Sequence, residues 1–178
     1  DKEVITSPLN SIKRTYVPRD RLRFINKLER KDNLQKTMLD FVKLLSDESG
    51  IAFDDFGIHG SLALNMHTAE SDIDIVVYGA HNSRMLQMTI ETLVKARRLS
   101  YVSNNRLDKL RRFKGRYRNR IFMYNAVRKP EEVTSKYGTH KFSALAPVNF
   151  TCTISDDSEA MFRPALYKMA EYEPDDQT

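Results

Sequence analysis

Two aspartates, Asp72 and Asp74, interrupt the run "SDIDIVVYG", whose other members are mostly β-forming residues that favour burial. Alternate side chains of a strand share a face, so both carboxylates point one way while Ile73 and Ile75 point the other. Like charges held side by side raise each other's pKa unless a cation lies between them. Upstream stands "HGS", residues 59–61, with ten residues between Ser61 and Asp72. Gly60 lets a backbone approach a ligand closely. Ser61 opens "SLALNMH", long enough only for a short helix, so its hydroxyl and the free N–H groups beside it can hold a phosphate. Hard anionic oxygens on one face suit magnesium, or manganese in its place. Paired metal ions would also cancel the carboxylate repulsion. The chemistry these residues ask for is the binding of a metal–triphosphate.

The elements that must position them follow from pattern. Residues 1–17 have little periodicity and read as a leader or linker. Pro18 suits the first turn of a helix running to about Arg30, with Leu22, Ile25 and Leu28 on one side. Asp32 or Asn33 caps a second helix, in which Leu34, Met38, Phe41, Val42 and Leu45 recur at helical spacing. "IAFDDFGIHG" reads as a strand ending at Gly60, and "SDIDIVVYG" as a second one closed by Gly79. Asn82 or Ser83 caps the next helix, striped by Leu86, Ile90, Leu93 and Val94. The basic run "NNRLDKLRRFKGRYRNR" is expected to be helical to about Lys114, "IFMYNAV" to be a strand, and "KPEEVTSKYG" a turn that opens a short helix. "APVNFTCTI" alternates, placing Val148, Phe150, Cys152 and Ile154 on one face. Met85, Met88 and Met161 read as core filler. The acidic close "EYEPDDQT" lacks a domain-like stop, so more chain is expected after it, and the opening Asp suggests that the native start lies upstream.

The chain of 178 residues, 40% apolar and 30% charged, has the composition of an ordinary globular domain with a real core. No run approaches the about 18–20 apolar residues of a membrane helix. The single cysteine, Cys152, excludes an internal disulfide framework and points to a cytoplasmic setting. Net charge is +5, unevenly spread: residues 51–94 carry 1 Lys/Arg against 6 Asp/Glu, and residues 95–141 carry 15 against 3. So basic a block either forms solvated helix faces or meets polyphosphate or a nucleic-acid backbone. Tyr117 and Tyr124 interleave with its arginines and either stack bases or fill a core. His59 and His67 read as packing or surface residues.

Strand, Gly-Ser turn, short helix and a strand carrying Asp-Ile-Asp-Ile resemble the signature of the nucleotidyltransferase superfamily typified by DNA polymerase beta. "GSLALN…SDIDIVV" is most similar to its small stand-alone prokaryotic members, with an archaeal group as a closer likeness. The resemblance implies an α/β (α+β) fold, a small mixed sheet flanked by helices, over residues 18–155, with 156–178 as an extension. It implies magnesium-dependent transfer of a nucleoside monophosphate from a nucleoside triphosphate to an acceptor hydroxyl. Asp72 and Asp74 would hold the metals, and Gly60 and Ser61 the phosphates. The basic segment, led by Arg111, Arg112, Lys114, Arg116 and Arg118, would bind an RNA acceptor or the triphosphate tail. Two departures stand out. Small members often read GSxARG, where this chain has Leu64 and Asn65, so a phosphate-contacting arginine must come from elsewhere. The family's third carboxylate, on a later strand, aligns best with Val148-Asn149-Phe150, where Asn149 is neutral; Asp156, Asp157 and Glu159 are the nearby substitutes. An inactive nucleotide- or RNA-binding module and an antitoxin-like interaction protein are the alternatives to an active enzyme.

Overall fold

A computed structural model describes residues 7–134, 138–139, 143 and 146–174. Helix α1 (Pro18–Lys27) opens on its proline and buries Leu22 and Ile25. Helix α2 (Asn33–Ser49) starts from a capping box: the Asp32 side chain accepts from the Gln35 N–H while the Gln35 side chain accepts from the Asp32 N–H. It ends at Gly50, whose φ of 72° is the left-handed stop that glycine takes without strain. There follow β1 (Phe56–Ile58), α3 (Gly60–Leu64), β2 (Ile73–Tyr78), α4 (Ala80–Lys95), β3 (Ser100–Tyr101), α5 (Arg106–Arg111), β4 (Lys114–Tyr117) and β5 (Arg120–Val127). After them come β6 (Phe150–Asp156) and β7 (Lys168–Pro174).

Strands β1 to β5 form one mixed sheet in the order β1-β2-β5-β4-β3. Strands β2 and β5 run parallel, the chain passing between them through α4, β3, α5 and β4, and the other pairings are antiparallel. This is the mixed α+β architecture expected. One sheet face is apolar: Ile73, Ile75 and Val77 of β2 and Phe122 and Tyr124 of β5 pack with Met38, Phe41, Val42 and Leu45 of α2 and Leu86, Ile90 and Leu93 of α4. Phe41 is the centre of an aromatic contact set, with ring centroids 4.9 Å from Tyr117 and 4.5 Å from Phe122. Tyr117 and Tyr124 therefore belong to the core and are not free to stack bases.

Four expectations need correction. The basic segment is not helical to Lys114: α5 stops at Arg111, and Lys114–Tyr117 form a strand because pairing with β5 outweighs local helix preference. Helix α4 begins at Ala80 rather than at Asn82 or Ser83. The Asn82 amide instead donates to Asp55 Oδ2 at 2.9 Å, and a Glu132 carboxylate oxygen accepts from the Ala80 N–H at 2.9 Å. Met88 is exposed, so it is no core filler. Lastly, β6 pairs with β7 in a separate two-stranded sheet, and the apolar face read in "APVNFTCTI" is not buried: Val148, Phe150 and Ile154 all remain exposed. A pattern of alternation specifies a two-faced strand but not what covers it.

Candidate active site

Asp74 lies in β2 and Asp72 two residues before it, both partly buried and both on the sheet face opposite the core. Neither carboxylate makes a hydrogen bond or ion pair with any described residue. The turn at Gly60 closes over them. The His59 N–H donates to the Asp74 carbonyl at 3.1 Å, which fixes the turn to the strand. Gly60 has φ +63°, and a Cβ added there would lie 2.3 Å from Asp74 Oδ2, so the bare glycine leaves the space that the carboxylate occupies. Ser61 follows, partly buried, its hydroxyl without a hydrogen bond among the described residues, beside the unpaired N–H groups of the first turn of α3. Burial pushes the Asp74 carboxyl above its ordinary value, and the Asp72 charge adds to the rise; His59 and Lys114 pull the other way.

Register decides what else shares this face. Asp74 sits opposite Met123 of β5, and Met123 opposite Lys114 of β4; Ile121 stands opposite Arg116. Crossing the sheet from the acidic pair, the face therefore carries Ile121 and Met123 and then Lys114 and Arg116. Asn125, further along β5, approaches His59 Nε2 through its amide nitrogen at 3.3 Å. No carboxylate stands on this face of β5, and among the described residues no group of three or more His, Cys, Asp or Glu side chains gathers anywhere. Asn149 is not on the strand beside the pair. It is an exposed residue just ahead of β6, whose strand partner is β7. The substitutes are engaged elsewhere: Asp156 with Lys168 at 3.3 Å, Asp157 with Arg84 at 3.0 Å, and Glu159 with Arg128. Sequence alternation singled out residues 148–154 for their pattern, whereas the neighbour of the pair is set by tertiary pairing. The residues that register adds, Ile121, Met123 and Asn125, left no signal in the sequence.

Cations of the basic segment differ in what they face. Arg98 pairs with Glu48, Arg112 with Glu91 at 3.6 Å and Arg118 with Asp40 at 3.0 Å, so these cations face the acidic residues of α2 and α4. Lys114 and Arg116 have no ion pair among the described residues and lie on the face of the Asp pair. Arg111 ends α5, and its side chain falls outside those described. His67 holds Asp32 at 2.8 Å across the start of α2, a structural contact.

The Gly-Ser turn pressed against Asp74, with Asp72 two residues ahead of it and neither carboxylate partnered among the described residues, places the residues of the polymerase-beta-like signature together. Residues 39–133, just over half of the chain, match the model of the nucleotidyltransferase domain. The chain belongs to the nucleotidyltransferase domain family. An uncharacterized protein of Methanocaldococcus jannaschii is 24% identical over 154 residues, which cover 75% of this chain and 45% of that protein. The chain thus spans about half the length of the curated relative it matches. No solved structure gives a significant match. For this nucleotidyltransferase domain, the family supports nucleotidyl transfer as the general function. No described helix is long and apolar enough to cross a membrane.

A magnesium ion that arrives with nucleotide phosphates takes only one or two carboxylates from the protein and fills its remaining positions with phosphate oxygens and water. Asp72 and Asp74, hard oxygen donors with no partner among the described residues, fit that demand.

Proposed function

We propose that this domain transfers a nucleoside monophosphate from a nucleoside triphosphate to an acceptor hydroxyl and releases pyrophosphate. The observation that carries the reading is the pair of partly buried carboxylates that have no partner among the described residues, with Asp74 lying against the bare Cα of Gly60. Burying charge without compensation is costly, and a fold keeps it where a ligand supplies the counter-charge. Asp72 and Asp74 would hold magnesium or manganese, which when bound neutralises phosphate charge. Gly60 and the Ser61 hydroxyl would seat the phosphates. The protein's own contribution is positioning and a field arranged in advance, which suffices for phosphoryl chemistry because little covalent work falls to side chains. Proton removal from the acceptor falls to solvent, since no carboxylate faces the pair from β5. That same vacancy favours a second reading, a nucleotide-binding module with weak or no turnover.

Thermal unfolding and label transfer test both. Magnesium with a nucleoside triphosphate should raise the thermal midpoint, because a ligand bound only by the folded state stabilises it by mass action. Asp72→Asn with Asp74→Asn should abolish the rise while the protein stays folded. Gly60→Ala should blunt it, because the new methyl displaces the Asp74 carboxylate. Incubation with labelled triphosphates, magnesium or manganese, and total RNA should yield labelled product. A full response in the double variant removes the site; a response without transfer from any triphosphate selects the binding module.

A further inference from the structure

Given nucleotidyl transfer at the Asp pair, on which this step rests, we propose that the acceptor carries a phosphate and that Lys114 and Arg116 grip it. The sheet order sets the two sides of the pair. The β1–α3 turn with Gly60 and Ser61 lies on one side of β2, and β5 followed by β4 lies on the other. In an in-line displacement the attacking oxygen and the leaving oxygen stand on opposite sides of the phosphorus. The acceptor oxygen bonds to the α-phosphorus, the bond to the bridging oxygen of the leaving pyrophosphate breaks, and the acceptor's proton passes to solvent. With the leaving phosphates seated at Gly60 and Ser61, the acceptor must approach over β5.

What it meets there is uncharged and then basic. Ile121 and Met123 form the floor, and Lys114 and Arg116 stand in register one strand further on. Two strand spacings put them about 10 Å from the pair in Cα position, a span that a phosphate-bearing acceptor held between them would bridge. Arg98, Arg112, Arg118 and Arg128 each hold a carboxylate, whereas Lys114 and Arg116 hold none among the described residues. A half-buried lysine and an exposed arginine, neither ion-paired among the described residues and both beside an uncharged floor, are suited to a phosphate, which the arginine fork can take in bidentate fashion. A neutral acceptor, such as a sugar alcohol or a protein serine, would leave both cations without a function in binding.

Lys114→Gln and Arg116→Gln, singly and together, keep the aliphatic stems and remove the charges; Lys114→Arg keeps the charge. The probes are a single-stranded oligoribonucleotide and a nucleoside monophosphate, each titrated across salt concentrations, with magnesium–nucleoside triphosphate binding followed in parallel. For the oligoribonucleotide, the double variant should bind at least about tenfold more weakly, and its log–log salt slope should flatten by about 1.4, about 0.7 per lost contact to a single strand. Lys114→Arg should retain binding, and magnesium–triphosphate affinity should stay within about twofold, the change expected when no contact is lost. Weakened monophosphate binding with an unchanged oligoribonucleotide slope would support the same site with a free nucleotide as acceptor. If neither probe responds, or if triphosphate binding falls while both probes are unaffected, the proposal is overturned. That outcome is separable from failure at the Asp pair, which Asp72→Asn with Asp74→Asn reports independently.

Discussion

At Asp74 the backbone of a turn and the charge of a side chain compete for one small volume, and the competition has a measurable consequence. Burial raises the folded-state pKa above the ordinary 3.8. A carboxyl whose pKa rises on folding is tolerated while protonated and costs stability once ionised. Its favourable contribution is complete below the unfolded pKa and is lost as pH climbs through the folded one. Asn cannot ionise, so in metal-free buffer Asp74→Asn and the wild type should have similar urea midpoints below about pH 4. The variant should then gain over the wild type as pH rises to 7. Equal midpoints at neutral pH would mean that the carboxylate is compensated within the fold, although no described residue partners it.

Among the elements, α2 depends most on its first residues, because Asp32 serves the capping box and His67 at once. Its Oδ1 accepts from the Gln35 N–H at 2.9 Å, and Oδ2 lies 2.8 Å from His67 Nε2. Asp32→Ala should cost about 1 kcal/mol for the cap, and more where the His67 contact adds to it. Asp32→Asn, which keeps a capping oxygen, should recover most of the loss in urea unfolding. Indistinguishable Ala and Asn variants would show that α2 is held by its buried face alone. The β6–β7 hairpin differs in kind. A two-stranded sheet is marginal by itself in water, and this one is fastened to the body at its connecting loop by the Arg84–Asp157 and Arg128–Glu159 ion pairs and by buried Phe162 beneath the Arg128 guanidinium.

Over the whole molecule, the segment that concentrates positive charge is partly neutralised from within. Glu48, Glu91 and Asp40 come from α2 and α4 and answer Arg98, Arg112 and Arg118 across the fold. Exposed pairs of this kind are worth at most about 1 kcal/mol each. Replacing Arg112 and Arg118 by Gln should therefore lower the thermal midpoint slightly, more at low than at high ionic strength. The same change should leave the salt slope for RNA nearly unchanged, in contrast to Lys114 and Arg116. A slope that flattens equally for both sets would mean that nucleic acid reads the segment as one undivided patch.

The amino-acid sequence by itself determined the local features: the proline start of α1, the cap at the head of α2, the apolar stripe of α4, and the glycine turn ahead of two carboxylates on one strand face. Each depends on neighbours within a few residues, through propensity, capping and periodicity. Tertiary structure alone decided which strand lies beside β2. Residues 121–127 and 146–154 both read as strands, but only the first pairs with it, since pairing is settled by loop closure and by the burial of Phe122 and Tyr124 against α2 and α4. That choice moved Asn149 away from the position expected for it and put Met123 opposite Asp74. It also sorted the arginines, because an ion pair between residues 40 and 118 exists only once the chain has brought them together. Charge is written in composition, whereas its partner is a property of the fold.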